Sequence, residues 1–100
     1  MDVIFEYHDV MASDTIENFA KEKLDKIATK YEMVIRADVF FKTENTSSDD
    51  TGKICGIRLS LPGPRIFAES SKENFMVAIA ETANDLERQL RKRKEKMQTH

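Results

Sequence analysis

The chain has 100 residues, 40% of them hydrophobic, with three glycines, two prolines and a single cysteine. This composition indicates one ordered domain with a modest core, and it excludes a disordered tail, an internal disulfide and a membrane-spanning helix. The first residues lack a basic region followed by an apolar stretch, so we expect no secretory signal. Together with the lone cysteine, these features predict a cytoplasmic protein.

The first third of the chain predicts a strand followed by a helix. Residues 2–7 are rich in β-branched and aromatic side chains, which favour a strand. Either Ser13 or Asp14 can cap the helix that follows, since both side chains can accept hydrogen bonds from the first unpaired amides. Apolar residues then recur at spacings of three and four as far as Tyr31. This periodicity predicts an amphipathic helix with one buried stripe.

The middle of the chain predicts three consecutive strands. Residues 35–44 and 53–61 alternate between apolar and polar side chains, and the polar segment 45–52 predicts a loop between them. Pro62-Gly63-Pro64 predicts a tight reversal before a short last strand at 65–69. The buried face of the first of these strands is expected to carry Ile35, Ala37, Val39 and Phe41.

The last third of the chain predicts a second helix. Ser70 and Glu73 have the spacing of a capping box, and the expected apolar stripe consists of Phe75, Ile79, Ala83, Leu86 and Leu90. Arg93 falls at a core-facing angle of this helix. A cation there implies that the helix overruns the core at about 91–100.

The element order β-α-β-β-β-α predicts an α+β fold in a single domain, 1–100. The first helix is long enough to be a crossover, so the first two strands can be parallel neighbours. The remaining strands form an antiparallel meander. Because each helix has one apolar stripe, the economical arrangement is a four-stranded mixed sheet with both helices packed on one face.

Positive charge is concentrated at the end of this mildly acidic chain. Residues 86–100 hold six basic and two acidic side chains, a net charge of +4, while residues 1–85 hold ten basic and sixteen acidic ones, a net charge of −6. One or two cations would satisfy the dipole of the helix terminus, and six exceed that need. The excess predicts a polyanionic partner. The six cations are Arg88, Arg91, Lys92, Arg93, Lys94 and Lys96.

A second group of cations lies on the first helix. Lys23, Lys26 and Lys30 share one shoulder beside the buried stripe, since they are spaced three and four apart. They form either a solvated face whose lysines cover the core or a basic ridge for a ligand. If the helices lie side by side, this ridge and the end of the second helix merge into one surface that can neutralise several phosphates. The sequence has no helix-turn-helix or zinc-ligand pattern, which favours RNA recognised by shape and backbone.

No motif for catalysis is present, so we predict a protein that is not an enzyme. His8 and His100 are far apart in sequence, and Cys55 is expected to be a buried, inert thiol. The pair Asp49 and Asp50 is too small a set of oxygen ligands for a metal site. We therefore expect no cofactor, no metal and no small-molecule substrate. Phe40 on the outer sheet face is either a lone exposed aromatic or a contact for a partner or a second copy.

Two segments resemble a known family. Residues 68–79 and 85–96 are similar to the last helix of the ribosome hibernation promoting factors, also called ribosome-associated inhibitors and, historically, sigma-54 modulation proteins. The most specific part is the pattern Leu-x-Arg-Gln-Leu-x-Lys-x-Lys-x-Lys at 86–96. The run Lys23-Leu-Asp-Lys26 and the following Tyr31 are similar to the end of the family's first helix.

This resemblance implies a fold akin to a double-stranded-RNA-binding domain and a stoichiometric factor that inhibits translation in stressed or stationary cells. Its expected partner is the small ribosomal subunit (30S), where it would occupy the decoding channel and contact 16S rRNA. The resemblance is to the short form of the family, which is not expected to pair ribosomes by itself. The rRNA-binding residues it implies are Lys23, Lys26, Arg88, Lys92, Lys94 and Lys96, and charge geometry adds Lys30 and Arg91.

The alternative is a protein-interaction module that acts on the transcription machinery, as the older family name suggests. The acidic body and the outward Phe40 motivate it. Weak self-association through the outer sheet face is a further possibility, and we expect no membrane partner.

Overall fold

The structure is a computed structural model that describes residues 1–98, so His100 lies outside the described residues. The α+β order inferred from the sequence is confirmed. The elements are β1 (Asp2–His8), α1 (Asp14–Lys30), β2 (Arg36–Thr43), β3 (Lys53–Ser60), β4 (Ile66–Lys72) and α2 (Phe75–Gln98).

The sheet has the order β1-β2-β3-β4 and is mixed. β1 and β2 are parallel, with Phe5 opposite Val39, because α1 carries the chain back between them. β3 is antiparallel to both β2 and β4, and Phe41 lies opposite Cys55 in the first of these pairs. This arrangement is the predicted crossover followed by a meander.

One face of the sheet carries the core, and both helices cover it. The inward side chains of the central strands are fully or almost fully buried, as are the apolar stripes of the helices. The two helices therefore lie side by side over one hydrophobic layer. The largest contributors are Leu24, Val39, Phe41, Ile57, Leu59, Ile79, Leu86 and Leu90.

The start of α1 is fixed by two side chains. Ser13, rather than Asp14, is the cap, since its Oγ accepts a 3.4 Å hydrogen bond from the amide of Ile16. Glu17 accepts a 2.6 Å hydrogen bond from the hydroxyl of Tyr7 and so ties α1 to β1. Burial and this bond raise the pKa of Tyr7 to about 12.

The predicted start of α2 was wrong. Ser70 belongs to β4, which continues to Lys72 and so outlasts its predicted end at residue 69. The cap is Asn74, whose side-chain oxygen accepts a 2.9 Å hydrogen bond from the amide of Val77. Pairing with β3 holds the polar end of β4 in the sheet, and the helix cannot begin until that pairing ends.

Ile35 was also wrongly assigned to the buried face. It precedes β2, it is 61% exposed, and its backbone links Asp2 to Ser60 at the end of the sheet. Val34 is 5% exposed and takes the inward place at this end. Val34, and not Ile35, therefore fills the core at this end of the sheet.

The far end of α2 extends beyond the core. Leu90 is its last fully buried residue, and the molecule measures 48 × 25 × 19 Å along its principal axes. Arg93 donates hydrogen bonds to the carbonyl oxygens of Pro62 (3.3 Å) and Pro64 (2.8 Å), so it fastens the β3–β4 turn to the helix. Within residues 1–98, no helix is long and apolar enough to cross a membrane.

Candidate nucleic-acid interface

The two groups of cations lie on neighbouring helices. On α1, Lys30 faces α2, because its ammonium group is 3.6 Å from a carboxylate oxygen of Glu87, and Lys23 and Lys26 share its shoulder of the helix by their spacing. We call the set of eight predicted residues the basic surface. Its members are Lys23, Lys26, Lys30, Arg88, Arg91, Lys92, Lys94 and Lys96.

Tyr31 joins the two halves of the basic surface. The ammonium groups of Lys30 and Lys94 lie 5.6 and 5.7 Å from the centroid of its ring. These are cation–π distances, worth about 0.5–1 kcal/mol each at exposed sites. Tyr31 is 3% exposed and closes α1 by donating its amide to the carbonyl of Ile27 at 2.7 Å. A rigid aromatic ring thus holds one cation from each helix.

The cations of α2 are spread over its exposed sides. Arg88, Arg91, Lys92 and Lys96 are exposed, and Lys94 lies on the flank toward α1. Arg88 is already paired with a carboxylate, since its guanidinium lies 3.3 Å from Asp85. The last turns of α2 therefore present several cations away from the core.

Lys23 of the basic surface also packs on its own helix. The ammonium group of Lys23 lies 5.2 Å from the centroid of the Phe19 ring, so its stem also covers part of the core. This geometry combines the two interpretations of the α1 lysines. Their apolar stems shield the core while the charged heads stay at the solvent, where a polyanion can reach them.

Arg93 stands apart from the basic surface. It is half-buried, and its guanidinium donates hydrogen bonds to two carbonyl oxygens of the β3–β4 turn. Its place at a core-facing angle was visible in the sequence. Its partners were not, because they lie about thirty residues earlier in the chain.

The outer face of the sheet carries a row of three rings. Phe40 is stacked on Phe67 with centroids 6.2 Å apart and meets His8 edge-on at 6.1 Å. Gly56 lies beneath Phe40: a Cβ there would be 2.2 Å from two ring carbons. The interpretation of Phe40 as a lone aromatic is therefore wrong, and Phe67, at 44% exposure, is the more accessible ring.

The residues considered for chemistry do not assemble into a reactive group. Cys55 is buried, and burial raises the pKa of its thiol to about 12. His8 is exposed and lies 3.6 Å from a carboxylate oxygen of Glu6. Among the described residues, no three histidine, cysteine or acidic side chains lie close enough to hold a metal ion.

Comparisons with known proteins identify relatives of this fold. The family model described as sigma 54 modulation protein / S30EA ribosomal protein matches residues 3–98. A ribosome hibernation promoting factor from Pseudomonas putida is 27% identical over 90 residues, which cover 90% of this chain and 83% of that protein. The matched range contains both segments on which the resemblance rests, and so confirms it.

Two solved structures share the architecture. A ribosomal subunit interface protein from Coxiella burnetii superposes with a TM-score of 0.82 at 21% identity, over 95% of this chain and 99% of that one. The N-terminal domain of Protein Y from Thermus thermophilus superposes with a TM-score of 0.75 at 19% identity, over 92% and 98% of the two chains. At these identities, the two structures show a shared fold.

Proposed function

Since the chain belongs to the sigma 54 modulation protein / S30EA ribosomal protein family, we propose that it is a ribosome-binding hibernation factor that inhibits translation. It would bind the small subunit through the basic surface and occupy the decoding channel in stressed or stationary cells. The observation that carries this proposal is the meeting of Lys30 and Lys94 over Tyr31. That meeting makes one cationic face out of two distant parts of the chain.

In this proposal, the protein inhibits translation by occupying the decoding channel and not by a chemical step. Ribosomal RNA presents closely spaced phosphates, and Lys and Arg side chains that neutralise them release condensed counterions. A short α2 overhang with cations on several sides can contact phosphates from more than one direction, as in a channel lined by RNA. The acidic remainder of the chain, at −6 for residues 1–85, opposes nonspecific binding elsewhere.

Co-sedimentation with purified 30S subunits tests the surface directly. We expect the variant Arg88→Glu, Lys92→Glu, Lys96→Glu to lose binding while its circular dichroism spectrum stays unchanged. The matched control, Lys21→Glu, Lys42→Glu, Arg58→Glu, reverses one arginine and two lysines outside the basic surface. Undiminished binding by the first variant, or equal loss in both, would remove the basic surface from the proposal.

Translation in a reconstituted cytoplasmic extract tests the consequence of binding. Wild-type protein in equimolar amount to ribosomes should inhibit synthesis from a reporter message, and the surface variant should not. Sucrose gradients of extracts from growing and starved cells should show the protein on ribosomal fractions mainly in the starved cells. Inhibition by the surface variant at wild-type strength would contradict an occupancy mechanism.

The outer sheet face supports a second candidate function, weak self-association. Phe67, in the row of three rings, is 44% exposed, and Ile4 on the same face is 40% exposed. The same face carries both signs of charge, with Arg58 and Glu69 on adjacent strands, so a second copy can offer complementary groups. Sedimentation equilibrium should give a dimer weakened by Phe67→Asp. A monomer at all concentrations would exclude self-association.

The transcription-related alternative is tested by a pull-down treated with ribonuclease. A protein partner that is retained after this treatment would favour that alternative.

A further inference from the structure

A notch opens between the ends of the two helices, inside the basic surface. It has a volume of about 530 Å³, within the range of about 300–1,000 Å³ that is common for small-ligand sites. It is lined by Tyr31, by Met33 in the segment after α1, and by Met97 of α2. Lys30 and Lys94 stand at the same opening. The notch thus combines apolar walls with two cations.

The notch exists because α2 is longer than α1. α1 ends at Lys30, and the chain turns through Glu32 and Met33 toward β2. α2 continues past that level and brings Lys94 and Met97, one helical turn apart, beside the turn. Met97 is 48% exposed, so no described part of the chain fills the space next to its thioether.

The chemistry of the lining indicates which ligand fits. Methionine side chains are polarizable and adaptable, and their sulfur atoms contact aromatic rings favourably. The two ammonium groups are each within 6 Å of the Tyr31 centroid, on flexible stems that can converge on one phosphate. Glu32 lines the opening, and Glu87 is paired with Lys30 at 3.6 Å and so compensates part of its charge. An anion is therefore bound mainly by Lys94 and, once the Glu87 pair opens, by Lys30.

We propose that this notch receives a single nucleotide unit, with its base against Met33 and Met97 and its phosphate between Lys30 and Lys94. The proposal rests on the proposed function, because the unit is taken to be part of the RNA that the basic surface binds. It adds a base-contacting position to a surface that otherwise recognises only phosphates. A free nucleotide has the same chemistry, and the experiment separates the two sources.

The methionine methyl groups report on the notch without any substitution. In protein labelled with ¹³C at the methyl groups, titration with AMP should move the Met33 and Met97 resonances saturably. Met11, which is 89% exposed, and Met76 lie outside the notch and should stay in place. Inorganic phosphate and adenosine should each act at least threefold more weakly than AMP. Equal shifts at Met11, or equal effects of phosphate and AMP, would overturn the proposal.

A short oligoadenylate distinguishes the two sources. The same two resonances should saturate at a tenfold or more lower concentration of an RNA hexanucleotide than of AMP, since flanking phosphates reach the rest of the basic surface. Equal or weaker binding of the hexanucleotide would overturn the assignment to RNA and leave a free-nucleotide site.

The double variant Met33→Ala, Met97→Ala extends the test to the ribosome. It should weaken 30S co-sedimentation threefold or more, whereas the control Met11→Ala, Met76→Ala should not. If wild-type protein binds 30S subunits but the two methyl groups do not respond to RNA, the notch proposal fails and the proposed function stands. If wild-type protein does not bind 30S subunits, the proposed function fails whatever the methyl groups do.

Discussion

The salt dependence of ribosome binding follows from the number of side chains in the basic surface that would form new contacts with phosphates. Of the eight residues in the basic surface, Lys30 and Arg88 already pair with carboxylates at 3.6 and 3.3 Å, and Lys96 has an interaction of its own. Five remain to make new phosphate contacts, and each contributes about 0.7–0.9 to the slope of log K against log salt. We therefore expect a slope between about −3.5 and −4.5. Raising the salt concentration fourfold should then weaken binding by about 100- to 500-fold.

Replacing three of these five side chains with glutamine tests the predicted number of phosphate contacts. The variant Arg91→Gln, Lys92→Gln, Lys94→Gln leaves about two new contacts, so its slope should fall to between about −1.4 and −1.8. The control Lys21→Gln, Lys42→Gln, Arg58→Gln removes the same net charge and should keep the wild-type slope. Both are measured by 30S co-sedimentation at fixed Mg²⁺ and increasing KCl. A wild-type slope shallower than about −2, or the same slope in both variants, would refute the reasoning.

Three further predictions concern the fold. Gly56→Ala should lower the free energy of unfolding measured in urea by about 1–3 kcal/mol, because the new Cβ displaces the Phe40 ring. The loss should nearly vanish in a Phe40→Ala background. An equal loss in both backgrounds would contradict this origin. Asn74→Ala should lower the free energy of unfolding by about 0.5–2 kcal/mol, because the cap of α2 is lost. Ser70→Ala should lower it by less. A larger effect of Ser70→Ala would indicate that Ser70 is the cap after all. Cys55 should lower the unfolding free energy as the pH rises from 9.0 toward 12, since the buried thiol, with its pKa of about 12, ionises first in the unfolded chain, and Tyr7, whose pKa is raised from 10.0 to about 12, should add to the fall above pH 10. Cys55→Ala should flatten that fall, and an unchanged pH profile would show that the thiol is not responsible.

Most of the fold could be predicted from the sequence because local periodicity and tertiary packing agree. The apolar stripe of α2 and the alternation in β2 occur where the structure has them, whereas in β3 residues 54–57 are buried on both faces. The predictions failed where a distant partner decides the outcome. Ser70 and Glu73 have the spacing of a capping box, but pairing with β3 keeps Ser70 in a strand. Nothing in the local sequence reports that pairing.

The candidate site was predictable in its composition and not in its assembly. The spacing of Lys23, Lys26 and Lys30 places them on one shoulder whatever surrounds the helix. That this shoulder faces α2 depends on the packing of two helices more than forty residues apart. The sequence pattern also assigned Tyr31 only to the buried stripe. Its position between Lys30 and Lys94 emerges from the different lengths of the two helices.

The part of α2 past Leu90 is expected to be under different evolutionary constraints from the part that packs on the sheet. Past Leu90, Arg93 is fastened to the β3–β4 turn by hydrogen bonds, and Lys94 contacts the ring of Tyr31. Substitutions at neighbouring positions such as Arg91 and Lys92 can therefore alter ligand preference while the protein accumulates to normal levels. Stability screens would classify such changes as silent. Variation among relatives at exposed positions past Leu90 is consequently expected to follow the ligand, whereas variation in the buried stripe before Leu90 is expected to follow the packing of the core.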